Sequence, residues 1–180
     1  AWAEFYTGWA LNRLGDPGRA AEASERAARG FAAAGDVEGE LESLGLRGMV
    51  LGGDGRLEEA IVAYRGQHAA VHARRAELLP NIATFTEVNA LLAIANLHLR
   101  LERMEEAIAI SEEALTLARG VGLTRGIARG LLIAGQARGA LGETDRARLE
   151  LDEAAAAYED ASLPRLAAEA RQARAGLDPR

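Results

Sequence analysis

The chain has no cysteine and, among its 21 basic side chains, no lysine. Without cysteine, disulfides and thiolate metal sites are excluded. Without lysine, the GxxxxGK[ST] phosphate loop is impossible; no GxGxxG follows a strand pattern and no GxSxG occurs. Aromatic residues make up only 4% and β-branched residues are sparse, which speaks against a sheet protein. No uninterrupted apolar run reaches 18 residues, so no membrane span and no membrane partner is expected. No signal peptide is visible at the start, and a cytoplasmic location is the expectation. The first residue is Ala1 rather than methionine, already inside a helical pattern, so the 180 residues read as part of something longer. Net charge is −6 with both signs mixed along the chain, which argues against direct nucleic-acid binding.

Ala, Leu, Glu and Arg dominate, a mixture that favours helix. Abundant Ala, Gly and Arg also points to a GC-rich bacterial genome. At 180 residues the chain is long enough to bury a sizeable core.

The chain repeats. LGDPGRA (14–20), DGRLEEA (54–60), LERMEEA (101–107) and LGETDRA (141–147) align, each ending in alanine: Ala20, Ala60, Ala107 and Ala147. Their spacings are 40, 47 and 40 residues. Twelve residues before each alanine stands Gly8, Gly48, Ala95 or Gly135, and seven after stands Ala27, Gln67, Ala114 or Ala154. Small residues at fixed offsets mark places where two helices pack closely, and Gln67 departs from the rule. Glycine accepts the left-handed conformation that ends a helix and Asp caps the next one, as at Gly15-Asp16 and Gly35-Asp36, with Pro17 in a first helical turn. Thr84 and Glu87 have the spacing of a capping box, and Ser162 with Pro164 signals a last helix. Nine helices are predicted, at about 1–14, 17–33, 37–52, 56–78, 85–101, 104–119, 124–140, 144–159 and 163–175.

A small residue at position 8 with alanine at positions 20 and 27 resembles the tetratricopeptide repeat. The resemblance implies an all-α fold: a right-handed α-α superhelix of about four helix pairs plus a C-terminal capping helix. Repeats fall at about 1–35, 36–79, 84–121 and 123–160, with the cap at 163–176, all in one domain spanning 1–180. The long repeat and the phrasing of Ala1–Ala20 and Ile133–Ala147 also resemble the C-terminal arrays of bacterial STAND-type regulators: maltose-regulator-like, LuxR-type and antibiotic-regulatory proteins. That likeness implies a protein- or peptide-binding scaffold serving as the sensor or regulatory arm of a signalling or transcription regulator. A self-assembling structural scaffold is the alternative, and an enzyme accessory domain is a third reading.

In tetratricopeptide domains a concave groove is lined by positions 2, 5, 9, 12 and 13. Carried over, these positions give Trp2, Phe5, Trp9, Asn12 and Arg13; then Glu42, Gly45, Met49, Gly52 and Gly53; then Asn89, Leu92, Asn96, Leu99 and Arg100; then Arg129, Leu132, Gln136, Gly139 and Ala140. Asn89 and Asn96 are two helical turns apart on one face, where amides bond an extended backbone through donor and acceptor; merely solvated amides are the other reading. The Lys-containing clamp of chaperone-type tetratricopeptide domains is missing, so acidic C-terminal tails are not the expected partner. The aromatic cluster Trp2, Phe5, Tyr6 and Trp9 reads either as a cut inter-repeat contact or as a self-association patch.

No catalytic residues, cofactor or metal are expected. His68 and His72 share one helical face, but the sequence reads HAAVH without the HExxH glutamate, and Glu77 is an unsupported third ligand. A solvated or packing histidine pair is the expectation there, and His98 reads as a packed histidine. The irregular segment 73–86 carries the seven extra residues of the 47-residue spacing, as a longer connection or as a binding loop.

Overall fold

The computed structural model describes residues 1–178. Among these are nine α-helices and no strand: α1 (Trp2–Arg13), α2 (Pro17–Ala34), α3 (Val37–Gly53), α4 (Leu57–Ala73), α5 (Pro80–Arg100), α6 (Met104–Gly120), α7 (Thr124–Ala140), α8 (Thr144–Asp160) and α9 (Pro164–Ala175). A 3-10 turn, Arg75–Glu77, lies between α4 and α5. The fold is the all-α helical repeat that the small-residue pattern predicts. Helices consecutive in sequence pack on one another, α1 through α4 in one run and α6 through α9 in another. The chain divides into two compact units, Ala1–Ala90 and Leu91–Arg180, with the division inside α5.

In the first unit the helix starts follow their caps. Asp16 accepts a hydrogen bond from the Arg19 N–H at 3.2 Å with Pro17 behind it, and Asp36 accepts from the Gly39 N–H at 3.0 Å. Ala20, Ala27 and Ala60 are fully buried, and the position-8 glycines sit where a side chain would not fit. A Cβ at Gly8 would lie 2.8 Å from the Ser24 hydroxyl, and one at Gly48 would lie 2.6 Å from the Tyr64 ring. Position 8 therefore packs against position 24 of its own helix pair, and the two helices approach as closely as that pair of side chains allows. Val37, Leu41, Val71, Leu78 and Ala83 form the core around the α4–α5 connection.

The second unit is built alike. Ala107, Ala114, Ala147 and Ala154 are fully buried, and a Cβ at Gly135 would lie 2.8 Å from Leu151. Its core runs from Leu115 through Leu131, Leu132, Leu151 and Tyr158 to Ala167 and Ala170 of α9. The turn inside a helix pair uses Gly142 at φ 81°, as Gly15 and Gly55 do in the first unit, whereas repeat three places Glu102 there at φ 58°.

Three sequence expectations are corrected. α4 ends at Ala73, five residues before the predicted 78, and α5 begins at Pro80, five before the predicted 85. Pro80 lacks only an N–H that a first turn leaves unpaired anyway, and the added turn buries Ala83 and packs Ile82 in the core, so apolar burial prolongs the helix backwards. Thr84 and Glu87 are consequently interior residues of α5 and form no capping box; both bond the Arg75 side chain. Ser162 is likewise not a cap. It closes α8 at φ 57°, and Leu163 precedes Pro164 without a side-chain bond. Of the seven extra residues, four lengthen α5, which has 21 where α3 and α7 have 17. α5 is also long and apolar enough to cross a membrane; 67% of its most apolar window is buried within the fold, as in a core helix.

Candidate functional site

The first unit carries a cleft of about 490 Å³ between α3, α4 and the first turns of α5, lined by Glu38, Leu41, Glu42, Gln67, Ile82, Phe85, Thr86 and Asn89. Part of its wall is Gln67, at position 27, where the other repeats have alanine. Gln67 is buried, and its amide Nε2 donates to the Leu41 carbonyl at 2.9 Å. The larger side chain is accommodated by Gly45, where a Cβ would lie 2.7 Å from that nitrogen.

Leu41, Ile82 and Phe85 make the apolar part, and Phe85 is 55% exposed. Glu38 and Glu42 stand on its rim, one turn apart on α3 and both exposed. Neither is in an ion pair among the described residues, and like charges at this spacing repel by a few tenths of a kcal/mol. Asn89 completes the wall and spends one of its two amide hydrogens on the Phe85 carbonyl at 2.8 Å, within its own helix. The cleft thus pairs an apolar surface with unneutralised acid and an amide, a combination that takes an extended segment bearing apolar and basic side chains.

Next to the cleft lies a charged cluster that sequence reasoning assembled only in part. The Nε2 atoms of His68 and His72 lie 3.7 and 2.7 Å from Oε1 of Glu87. The other oxygen of that carboxylate accepts from Nη1 of Arg75 at 2.6 Å, and Nη2 of Arg75 reaches the Thr84 hydroxyl at 3.2 Å. Glu77, the third ligand considered from sequence, is turned away: Arg74 bonds it at 2.9 and 3.0 Å and holds its carboxyl below the usual carboxylate value. Arg74 also reaches Glu40 and the Gly35 carbonyl, so it fastens the connection to the start of α3.

The residues proposed as groove contacts fall into three groups. Asn12, Asn89, Asn96, Arg129 and Gln136 are half-buried, and Trp2, Trp9, Arg13, Met49 and Arg100 are exposed. Phe5 and Leu92 are buried in packing. Trp2 stacks on Tyr6 at 5.9 Å and meets Phe5 and Phe31 edge-on at 5.7 and 4.8 Å, so part of the aromatic cluster packs within its own unit. Of the groove positions carried over from the repeat, Glu42 and Asn89 line the cleft. Gln67 had a sequence signal as the exception to the small-residue rule, and Ile82, Phe85 and Thr86 had one as part of the irregular segment. Glu38 had none.

Residues 88–120 match the family described as Tetratricopeptide repeat. The match starts at Val88, which is position 1 in the register set by Ala95, Ala107 and Ala114. The fold is a tetratricopeptide-like helical repeat. A solved structure described as BtubC (BKLC) from P. vanneervenii is similar, with a TM-score of 0.60 and 21% identity over 86% of this chain. The aligned region spans 59% of that protein's length. No curated protein sequence matches the chain. Tetratricopeptide repeats are generally non-catalytic scaffolds that mediate protein–protein interaction.

Proposed function

We propose that this chain is a non-catalytic peptide-binding scaffold whose first unit receives an extended segment of apolar and basic character in the α3–α4–α5 cleft. The observation that carries the reading is the pairing of exposed Phe85 with the unpartnered carboxylates Glu38 and Glu42 in one cleft. A lysine or arginine of the partner relieves the repulsion between those two carboxylates, an apolar neighbour covers Phe85, and the partner backbone meets the Asn89 amide. In the second unit Asn96, Arg100, Arg129 and Gln136 are the proposed contact residues. The likeness to STAND-type arrays supports a regulatory role: the scaffold serves as the sensor arm of a bacterial cytoplasmic regulator, and the peptide favours one shape of that arm.

The test uses the whole chain as bait against an array of random 12-residue peptides. Captured peptides are expected to be enriched in Arg or Lys beside Leu, Ile or Phe. The double variant Glu38→Lys/Glu42→Lys is expected to lose them, and Asn89→Ala to weaken them about tenfold, the scale of one buried hydrogen bond to a neutral group. Capture without basic enrichment, or unaffected by the charge reversal, would sink the reading. A second reading rests on Trp2, Tyr6 and Trp9, which remain 48%, 63% and 42% exposed after packing. They support self-association, which a concentration-dependent mass in light scattering, abolished in Trp2→Ser/Trp9→Ser, would establish.

A further inference from the structure

We propose that His68, His72 and Glu87 form a binding site for a divalent transition metal of the zinc class that pins α4 to α5. The three ligand atoms lie within 4.8 Å of one another. The histidines are one turn apart on α4, so both imidazoles face the same way, and their ring centroids are 4.6 Å apart. Zinc bonds of about 2.0–2.2 Å separate tetrahedral ligand atoms by roughly 3.4 Å, so small side-chain rotations suffice to close the set around an ion.

Burial and hydrogen bonding distinguish this cluster from a surface ion pair. The Glu87 side chain is 4% exposed, and a buried carboxylate needs its charge answered on both oxygens. Arg75 covers Oε2 and is steadied by Thr84, an outer contact of the kind that orients metal-ligating carboxylates. Oε1 is left facing the two imidazoles. Nε2 of His72 approaches that oxygen to 2.7 Å, while Nε2 of His68 is buried without a hydrogen-bond partner. A metal satisfies all three atoms at once. His72 is 55% exposed, which gives the ion a way in and leaves room for a water as fourth ligand, the usual complement to three protein ligands. Imidazole with carboxylate suits zinc and its neighbours rather than magnesium or calcium, which take oxygen. Bound there, the ion ties the two helices across the longest connection in the repeat and beside the cleft walls that Gln67 and Thr86 supply.

The experiment is a titration of the chelator-treated chain with zinc chloride, followed by calorimetry and thermal unfolding. One equivalent is expected to bind and raise Tm; cobalt is expected to give the visible absorption of a four-coordinate site and to be displaced by zinc; magnesium is expected to do neither. His72→Ala is expected to weaken zinc by more than about tenfold, the scale on which even outer partners of metal ligands act. The pair His68→Ala/His72→Ala is expected to abolish binding with helical circular dichroism intact. The chain holds three histidines and no cysteine, so a second strong site has little to draw on. No binding by the wild type, or unchanged affinity in His72→Ala or in the folded double variant, overturns the proposal. Because His72 is half-exposed, its single substitution decides the matter even where the double variant folds poorly.

Discussion

Gln67 and Gly45 are two halves of one exception. Every other repeat has alanine at position 27, and a Cβ on residue 45 would stand 2.7 Å from the glutamine's amide nitrogen and press on its hydrogen bond to the Leu41 carbonyl. Glycine inside a helix costs about 1 kcal/mol relative to alanine, whereas forcing a methyl into a filled space costs about 1–3 kcal/mol. The two terms give opposite signs in two backgrounds. Gly45→Ala is expected to lower stability in the wild type, and to raise it by about 1 kcal/mol in a Gln67→Ala background. Urea unfolding of the four proteins measures both effects, and an effect of one sign in both backgrounds would show that the pair is not coupled.

Between helices of the second unit, charge does what apolar contact does elsewhere. Arg138 of α7 is 1% exposed. Its Nη1 donates to both oxygens of Glu150 on α8 at 2.5 and 2.7 Å, and its Nη2 to Glu112 on α6. Its Nε lies 3.4 Å from Glu143. The planar fork joins three helices, which the point charge of a lysine cannot do. Arg138→Met is expected to cost about 3 kcal/mol, because the largely buried Glu150 loses its bidentate partner and keeps only Arg146 at 3.5 Å. Adding Glu150→Gln is expected to recover part of that loss. Strictly additive losses in denaturant unfolding would contradict a coupled network.

For the molecule as a whole, the missing lysines shape the response to alkali. Arginine stays protonated throughout, cysteine is absent, and tyrosine is the only side-chain type left to ionise near pH 10. Among the three tyrosines, Tyr158 lies in the core of the second unit, and burial pushes its hydroxyl above the ordinary value of 10.0. A group whose pKa is higher folded than unfolded binds more protons in the folded state, so its contribution is intact below the unfolded value and is lost as pH rises toward and through the folded one. Stability is therefore expected to hold up to about pH 10 and to fall beyond it, with Tyr158→Phe flattening the fall. Chemical denaturation at pH 8 and pH 11 compares the two proteins; an equal fall in both would place the alkaline transition elsewhere.

The helix pairs, their turns and their packing positions were legible in the sequence. They are set by local rules: small residues at fixed offsets, glycine where φ is positive, Asp before a first turn. Eight of nine helices therefore lie within a residue or two of expectation at their starts. The failures cluster at residues 73–86, where the signals were local but the outcome was not. Thr84 and Glu87 have capping-box spacing, yet burial of Ala83 and Ile82 against α3 and α4 is worth more than a cap, and the helix runs back to Pro80. The candidate site was legible through two groove positions, Glu42 and Asn89, and through its anomalies, Gln67 and the long connection. Which carboxylate meets the histidines, Glu87 rather than Glu77, depends on the path of that connection and on Arg74 and Arg75 taking separate partners. The sequence by itself determined the repeat, because repeat packing is a matter of residue size at near neighbours; only the tertiary structure decided the cleft and the His68–His72–Glu87 cluster, because both join side chains whose distance is fixed by how α4 turns into α5.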